Sequence, residues 1–139
     1  MYMKNSYALI TGASSGIGLE IAKNLAARGY NLILTARRTE LLEALAKEIT
    51  DKNNVHVDLI SKDLSNYEAP KDIFEFCESK NYHVDILVNN AGYGIKTSFH
   101  ETSVEIEEDF IRVLGTSVIM LTKLFIPKML SNGGGKIMI

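Results

Sequence analysis

The sequence contains few of the residue types that mark disulfide-rich, secreted or nucleic-acid-binding proteins. It has one cysteine, Cys77, two prolines and no tryptophan, so no disulfide can form within the chain and a reducing, cytoplasmic setting is expected. The formal net charge is -2 and the lysines and arginines are spread along the chain, which argues against a nucleic-acid partner. No charged-then-apolar leader or long apolar span is evident, so no membrane insertion is expected.

The length and the overall composition indicate one globular domain. The chain has 139 residues, of which 46% are hydrophobic, and a chain of this size can bury a core of its own. We therefore expect residues 1–139 to form a single domain, without an internal repeat or an interdomain linker.

Two kinds of apolar stretch alternate along the chain. Short apolar runs predict strands, and longer stretches with apolar residues every three or four positions predict helices. The predicted strands are 7–10, 31–36, 55–59, 85–88 and 136–139, and the predicted helices are 19–28, one capped by Thr39, one opening with a capping box at 65–68, and a long one from 102 to about 129. This alternation predicts an α/β fold, a doubly wound parallel sheet with the first strand at its centre and the third nearer an edge. The long helix is apolar on most of its turns and is expected to be well buried.

The segment Thr11–Gly18 lies between the first predicted strand and the first predicted helix. Its glycines, Gly12, Gly16 and Gly18, let the backbone turn sharply and come close to a ligand. The helix that follows points its free N–H groups and the positive end of its dipole into this turn. An anion is therefore the expected occupant.

A second small and polar turn, Asn89-Asn90-Ala91-Gly92, follows the fourth predicted strand. Ligands of open parallel sheets bind at the carboxyl ends of the strands. Together with Thr11-Gly12-x-x-x-Gly16-Ile17-Gly18, this turn resembles the short-chain dehydrogenase/reductase family, and Asp63-Leu64 and Leu121-Thr122-Lys123 are supporting matches. The resemblance implies a Rossmann-type sheet, here truncated after the fifth strand, and hydride transfer between a nicotinamide dinucleotide and a small carbonyl or alcohol substrate.

Carried over residue by residue, the resemblance implies a dinucleotide site. The pyrophosphate and the adenosine ribose would lie against the glycine turn, the adenine ring against Asp63 and Leu64, and the nicotinamide ribose near the second turn. The alternative for Asp63 is that it only forms a turn. Asn89 is expected, in addition, to tie the central strand to its neighbours. The implied cofactor-binding residues are Gly12, Ser14, Ser15, Gly16, Ile17, Gly18, Asp63, Leu64, Asn89, Ala91 and Gly92.

The end of the second predicted strand indicates which dinucleotide is bound. A carboxylate at this position binds the ribose 2′-hydroxyl of NAD, whereas an arginine attracts the 2′-phosphate of NADP. This chain has Ala36 at the acidic position, followed by Arg37 and Arg38. We therefore predict NADP(H) over NAD(H), with Arg37 as the main phosphate partner and Arg38 as its helper. The alternative is a pair of solvated surface arginines.

The residues that carry out the family's chemistry are not found in this sequence. The resemblance implies a serine and a Tyr-x-x-x-Lys pair beyond the strand that begins at Lys136, and the sequence ends at Ile139. Tyr67 and Lys71 have the Tyr-x-x-x-Lys spacing but precede the second turn, so we interpret them as a coincidence. Leu114 stands where the family's helix asparagine is expected, and leucine offers no hydrogen-bonding group. No catalytic residue is therefore assigned.

Three functions remain open at this point. In the first, which we favour, the chain is the cofactor-binding portion of an NADP-dependent reductase and is inactive by itself. In the second, it is a module that binds NADP or a protein partner without turnover. In the third, it is an incomplete enzyme that a separate chain completes. In each case the edge strand 136–139 and the long apolar helix predict self-association into a homo-oligomer.

Overall fold

The computed structural model describes residues 5–139, which form a five-stranded parallel sheet with helices on both faces. The strands are β1 (Ser6–Thr11), β2 (Asn31–Ala36), β3 (Val57–Ser61), β4 (His83–Val88) and β5 (Lys136–Met138). The helices are α1 (Gly16–Ala27), α2 (Thr39–Lys52), α3 (Ala69–Ser79), α4 (Val104–Ile111) and α5 (Ser117–Ser131). A short 3₁₀ turn, Phe99–Glu101, precedes α4.

The strand order is β3-β2-β1-β4-β5, and every pairing in the sheet is parallel. The doubly wound parallel sheet predicted from the sequence is therefore confirmed. β1 lies at the centre and β3 at one edge, as the apolar run of the first and the alternation of the third had indicated. β3 begins two residues later than predicted, because Val55 and His56 precede its pairing with β2.

Each face of the sheet has its own core, since neighbouring residues of a strand point to opposite faces. On β1, Ala8 and Ile10 pack into the cluster formed with α1 and α2. Tyr7 and Leu9 pack into the other cluster, which includes α3 and α5. Full burial of a side chain such as Leu9 or Ile10 contributes about 2 kcal/mol, so these two layers fix the strand ends that carry the predicted turns.

The sequence placed two helix starts incorrectly. Thr39 is the first residue of α2, and the preceding Arg38 occupies the cap position without a side-chain capping bond among the described residues. The capping box predicted at 65–68 is also wrong, because α3 begins at Ala69. The side chains of Asp63 and Asn66 instead accept the backbone N–H groups two residues further on, at 2.9 and 3.0 Å. These local hydrogen bonds form turns that compete with the start of a helix.

The long helix has the predicted extent but not the predicted burial. α4 and α5 are joined by a π-helical turn, Arg112–Thr116. In the part of the chain that the structure describes, α4 has no fully buried residue, and α5 buries one stripe at four-residue spacing: Ser117, Leu121, Phe125 and Met129. That stripe packs on α3 and β4, while Ile119 is 65% and Leu130 is 70% exposed. Apolar composition therefore overestimated how much of this helix the sheet covers.

The same helix is long and apolar enough to cross a membrane by length and composition. The continuous stretch Val104–Ser131 has 28 residues and contains a window of mean hydropathy 1.6, of which 22% is buried. The sequence-based expectation of no long apolar span is therefore wrong for this helix. Core helices of soluble proteins pass the same test.

Candidate functional site

The glycine turn and the second turn meet at the carboxyl edge of the sheet, between the ends of β1 and β4. The Thr11 hydroxyl accepts the backbone N–H groups of Asn90 at 3.0 Å and Ala91 at 2.9 Å. In return, the Asn90 side-chain amide donates to the carbonyl oxygens of Thr11 at 3.1 Å and Gly12 at 3.2 Å. The two segments that carry the family resemblance are thus joined by direct hydrogen bonds.

The glycines of the first turn are required for different reasons. Gly12 has a φ of +65°, and a Cβ atom there would lie 2.8 Å from the Cα atom of Ala91. A Cβ atom on Gly18 would lie 2.5 Å from the carbonyl oxygen of Gly12. Gly16 has a φ of +58° but faces open space. Gly12 and Gly18 therefore allow close packing, whereas Gly16 supplies a left-handed backbone beside an open region.

That open region lies at the N-terminus of α1. Ser15 precedes the helix in an extended conformation, and its side chain makes no capping bond within residues 5–139. The first turn of α1 contains no acidic residue. The first N–H groups and the positive end of the helix dipole are therefore not neutralised by a carboxylate of that turn, which favours an anionic ligand.

A cleft of about 460 Å³ opens over these turns. All but two of the predicted cofactor-binding residues line it: Gly12, Ser14, Ser15, Gly16, Ile17, Arg37, Arg38, Asp63, Leu64, Ala91 and Gly92. The two that do not line it are Gly18, which is buried in α1, and Asn89. The cleft volume falls in the range of about 300–1,000 Å³ that is usual for ligand pockets.

Asn89 lies behind the cleft and is only 8% exposed. Its backbone N–H donates to the carbonyl oxygen of Met138 at 2.9 Å, and its side-chain amide donates to the hydroxyl of Thr122 at 3.3 Å. It therefore ties β4 to β5 and α5, and not the central strand β1 to its neighbours as predicted from the sequence. Among buried side-chain atoms of residues 5–139, Asn89 Oδ1 and Thr35 Oγ1 have no hydrogen-bond partner, and Thr35 lines the cleft.

Positive charge collects at one end of the cleft, where β2 and β3 terminate. Arg37 and Arg38 follow Ala36, and the Arg38 guanidinium donates to the hydroxyl of Ser14 at 3.5 Å. Lys62, just after β3, lines the same cleft and was not predicted from the sequence. The only sequence signal for it is its position immediately before Asp63, because its neighbourhood depends on how β3 pairs with β2.

Asp63 and Leu64 border the cleft in two ways. The carboxylate of Asp63 accepts the N–H of Ser65 at 2.9 Å, so its turn-forming role is present, and the residue also lines the cleft. Leu64 is 6% exposed and belongs to the core cluster on the α3 side of the sheet. The turn-forming role of Asp63 is therefore present in the structure, and its contact with an adenine ring stays a prediction.

The opposite end of the cleft is bordered by Tyr93, Asp109 and Val113. Leu114 is 42% exposed. It lies so close to Gly92 that a Cβ atom added to this glycine would be 2.8 Å from the Cδ2 atom of Leu114. An apolar side chain therefore covers the second turn where the family resemblance implies an asparagine. Tyr67 and Lys71 are both exposed, and in the described part of the chain neither lines this cleft.

The chain is similar to known oxidoreductases over nearly all of its length. It is 37% identical to a very-long-chain 3-oxoacyl-CoA reductase of Coccidioides immitis, a match that covers 97% of this chain and 40% of that protein. It is 33% identical to an uncharacterized oxidoreductase of Staphylococcus saprophyticus, with 97% of this chain and 58% of that protein covered.

Solved structures give the same result. A short-chain dehydrogenase from Sphingobium yanoikuyae in complex with NADPH superposes with a TM-score of 0.88 at 32% identity, covering 95% of this chain and 51% of that one. The L-sorbose reductase of Gluconobacter frateurii, complexed with NADPH and L-sorbose, gives a TM-score of 0.88 at 33% identity, covering 97% and 53%. The chain thus spans about half the length of the proteins it matches.

The sequence profile described as short chain dehydrogenase matches residues 6–139. This match includes both turns, all five strands and the whole lining of the cleft. The chain therefore belongs to the short-chain dehydrogenase family.

Proposed function

We propose that this chain forms the NADP(H)-binding portion of a reductase or dehydrogenase that transfers hydride between nicotinamide and a carbonyl or alcohol. The observation that carries the proposal is the cationic end of the cleft. Ala36 stands at the position of cofactor choice, and the Arg38 side chain beside it reaches Ser14 of the glycine turn. An arginine pair at this position suits the dianionic 2′-phosphate that distinguishes NADP from NAD. The NADPH complexes of the Sphingobium and Gluconobacter relatives support the same choice.

The residues present fit a dinucleotide along the whole cleft. The glycine turn and the N-terminus of α1 offer backbone N–H donors for the pyrophosphate, and Ser14 and Ser15 add hydroxyl groups. Asp63 and Leu64 would hold the adenine ring by hydrogen bonding and packing. Ala91 and Gly92 would border the nicotinamide ribose. When bound, the nicotinamide supplies the hydride or accepts it.

We also propose that these 139 residues alone do not catalyse the reaction. Proton transfer to or from the substrate oxygen requires a titratable group at the reacting atoms. The sequence's Tyr-x-x-x-Lys pair, Tyr67 and Lys71, lies outside the cleft of the described residues. Tyr93 does border the cleft, but the residue four positions later is Thr97 and not a lysine, and Leu114 has no polar group to support a proton relay. Cofactor binding without substrate reduction is the expected behaviour of the purified chain.

Calorimetric titration of NADPH and NADH into the purified 139-residue chain tests cofactor choice. We expect NADPH to bind at least about tenfold more tightly, which corresponds to one charge-assisted contact. Arg37→Asp should abolish or reverse this preference. Lys47→Asp makes the same charge change at an exposed position of α2 and should leave it intact. Equal affinity of the unmodified chain for the two dinucleotides, or binding of neither, would overturn the proposal.

Self-association is part of the same proposal. Ile119 and Leu130 leave large apolar surfaces exposed on α5, and β5 offers exposed residues at the sheet edge. Apolar patches and free strand edges of this kind favour contact with a second copy. Light scattering at increasing protein concentration is expected to detect a dimer or larger species. A stable monomer at high concentration would contradict this.

A further inference from the structure

The end of β3 adds a third cation to the cleft, and backbone hydrogen bonds fix its place. The backbone N–H of Lys62 donates to the carbonyl oxygen of Ala36 at 3.1 Å. One residue earlier, the Ser61 hydroxyl donates to the carbonyl oxygen of Arg37 at 3.0 Å. Lys62 is therefore held directly beside the position that decides cofactor choice, although it lies 26 residues away in the sequence.

Within residues 5–139, the side chain of Lys62 is engaged by a single carboxylate. Its Nζ atom lies 2.6 Å from Oδ2 of Asp72, in the first turn of α3, and the two side chains are 33% and 42% exposed. An ammonium group has three N–H donors, so one bond to Asp72 leaves donors for an anion in the cleft. Lysine is also a compact charge on a flexible stem, which lets it adjust to a phosphate without leaving its anchor.

We propose that Lys62 binds the 2′-phosphate of the dinucleotide alongside Arg37 and Arg38, and that Asp72 weakens this contact by competing for the ammonium charge. The proposal rests on the function proposed above and adds a specificity-determining residue to it. A 2′-hydroxyl carries no charge, so Lys62 should contribute little to the affinity for NAD. Asp72 acts only through Lys62 and is a positioning residue.

The test uses two fragments that differ only at the 2′ position, adenosine 2′,5′-bisphosphate and 5′-AMP, each titrated calorimetrically into the 139-residue chain at low salt. Lys62→Met keeps the length of the side chain and removes its charge. We expect it to weaken binding of the bisphosphate about tenfold and to change binding of 5′-AMP less than about twofold. The matched control is Lys71→Met, which breaks the exposed ion pair between Lys71 and Glu75 on α3. It should change the affinity for neither the bisphosphate nor 5′-AMP.

A second variant tests the role of Asp72. Asp72→Asn keeps a hydrogen-bond acceptor for Lys62 and removes the competing charge, so we expect about threefold tighter binding of the bisphosphate. In the Lys62→Met background the same substitution should have no effect. A gain of equal size in both backgrounds would mean that Asp72 acts by its general field and would overturn this part of the inference.

The outcomes separate the two proposals. If the unmodified chain binds the bisphosphate no better than 5′-AMP, the proposed NADP function fails and this inference fails with it. If the unmodified chain prefers the bisphosphate, Arg37→Asp removes the preference and Lys62→Met leaves it unchanged, only the assignment of Lys62 is wrong. Retained 5′-AMP binding in each variant reports that the remainder of the cleft is intact.

Discussion

The hydroxyl of Thr11 accepts two consecutive backbone N–H groups, those of Asn90 and Ala91, which lie 79 and 80 residues away in the sequence. Thr11 itself is 1% exposed. The end of β1 is therefore joined to the end of β4 by a side chain rather than by the strand ladder alone. This bond pair sets the distance between the two turns, and hence the width of the cleft at that end.

Replacement of Thr11 by valine should destabilise the chain. Valine has the same shape but leaves the N–H groups of Asn90 and Ala91 without their acceptor, and we expect a loss of about 2 kcal/mol in the free energy of unfolding. Thr11→Ser retains the hydroxyl and is expected to lose less than half as much. Urea denaturation followed by circular dichroism measures both. Equal losses for the two variants would indicate that the methyl group, not the hydroxyl, is responsible.

The glycines of the first turn should differ in their tolerance of alanine. Gly16→Ala introduces a side chain at positive φ into open space, which costs about 1 kcal/mol. Gly12→Ala adds the same strain and a Cβ atom 2.8 Å from the backbone of Ala91, so its cost should be at least twice as large. Gly94→Ala, also in open space, is the control and should change stability by less than about 0.5 kcal/mol. A smaller loss for Gly12→Ala than for Gly16→Ala would contradict the packing described here.

The turns were predictable because their backbone demands restrict residue type. Gly12 and Gly16 have positive φ, and Gly18 packs against the Gly12 carbonyl. Because glycine suits these positions best, the glycine spacing in the sequence indicates the backbone geometry of the turn. Lys62 was missed because lysine is an ordinary surface residue. Its proximity to Ala36 arises only from the pairing of β2 with β3.

The burial of α4 and α5 was overestimated for a related reason. Apolar residues such as Ile119 and Leu130 favour removal from water, but their presence in the sequence does not indicate which element would cover them. Among the described residues, α5 buries fully only the stripe from Ser117 to Met129, and this stripe packs against the sheet and α3. The turn at 63–68 shows a different limit, since Ser, Asn and Asp serve equally as helix caps and as turn residues. Local composition could not decide between these two uses.

Cys77 should be unreactive in the folded protein. It is 1% exposed, and burial raises the pKa of its thiol to about 12. Because the thiolate is the reactive form, labelling with a disulfide reagent at pH 8 should be slow in buffer and fast in urea. Glu75→Cys places a second thiol at an exposed position of α3 and should add one rapidly labelled group. Rapid labelling of Cys77 in buffer would mean that this face of α3 is not packed as described.

The amino end of the sheet contains a group of interacting aromatic and charged side chains far from the cleft. The Tyr82 hydroxyl donates to Oδ2 of Asp58 at 2.9 Å, and its ring stacks on that of Tyr7 at a centroid distance of 4.0 Å. The Tyr7 hydroxyl in turn lies 3.1 Å from Nδ1 of His56. Burial, followed by the hydrogen bond to Asp58, raises the pKa of Tyr82, and burial also raises the pKa of Tyr7.

These raised pKa values predict a loss of stability at alkaline pH. A phenol whose folded-state pKa exceeds its unfolded value of about 10 contributes its full stabilisation below pH 10 and loses it as the pH rises further. We therefore expect the free energy of unfolding to fall from about pH 9, where the thiol of Cys77 ionises in the unfolded chain, and more steeply above pH 10, where the two phenols follow. Tyr82→Phe should cost about 1 kcal/mol at pH 7, because Asp58 loses a donor, and should make the alkaline fall shallower, with Tyr7 and Cys77 still contributing. Tyr67→Phe alters an exposed tyrosine and should leave the profile unchanged. Urea denaturation at pH 7, 9, 10 and 11 measures the free energy of unfolding against pH for the unmodified chain and the two variants. If this free energy falls equally with pH in the unmodified chain and in Tyr82→Phe, the bond to Asp58 does not hold the phenol in its neutral form.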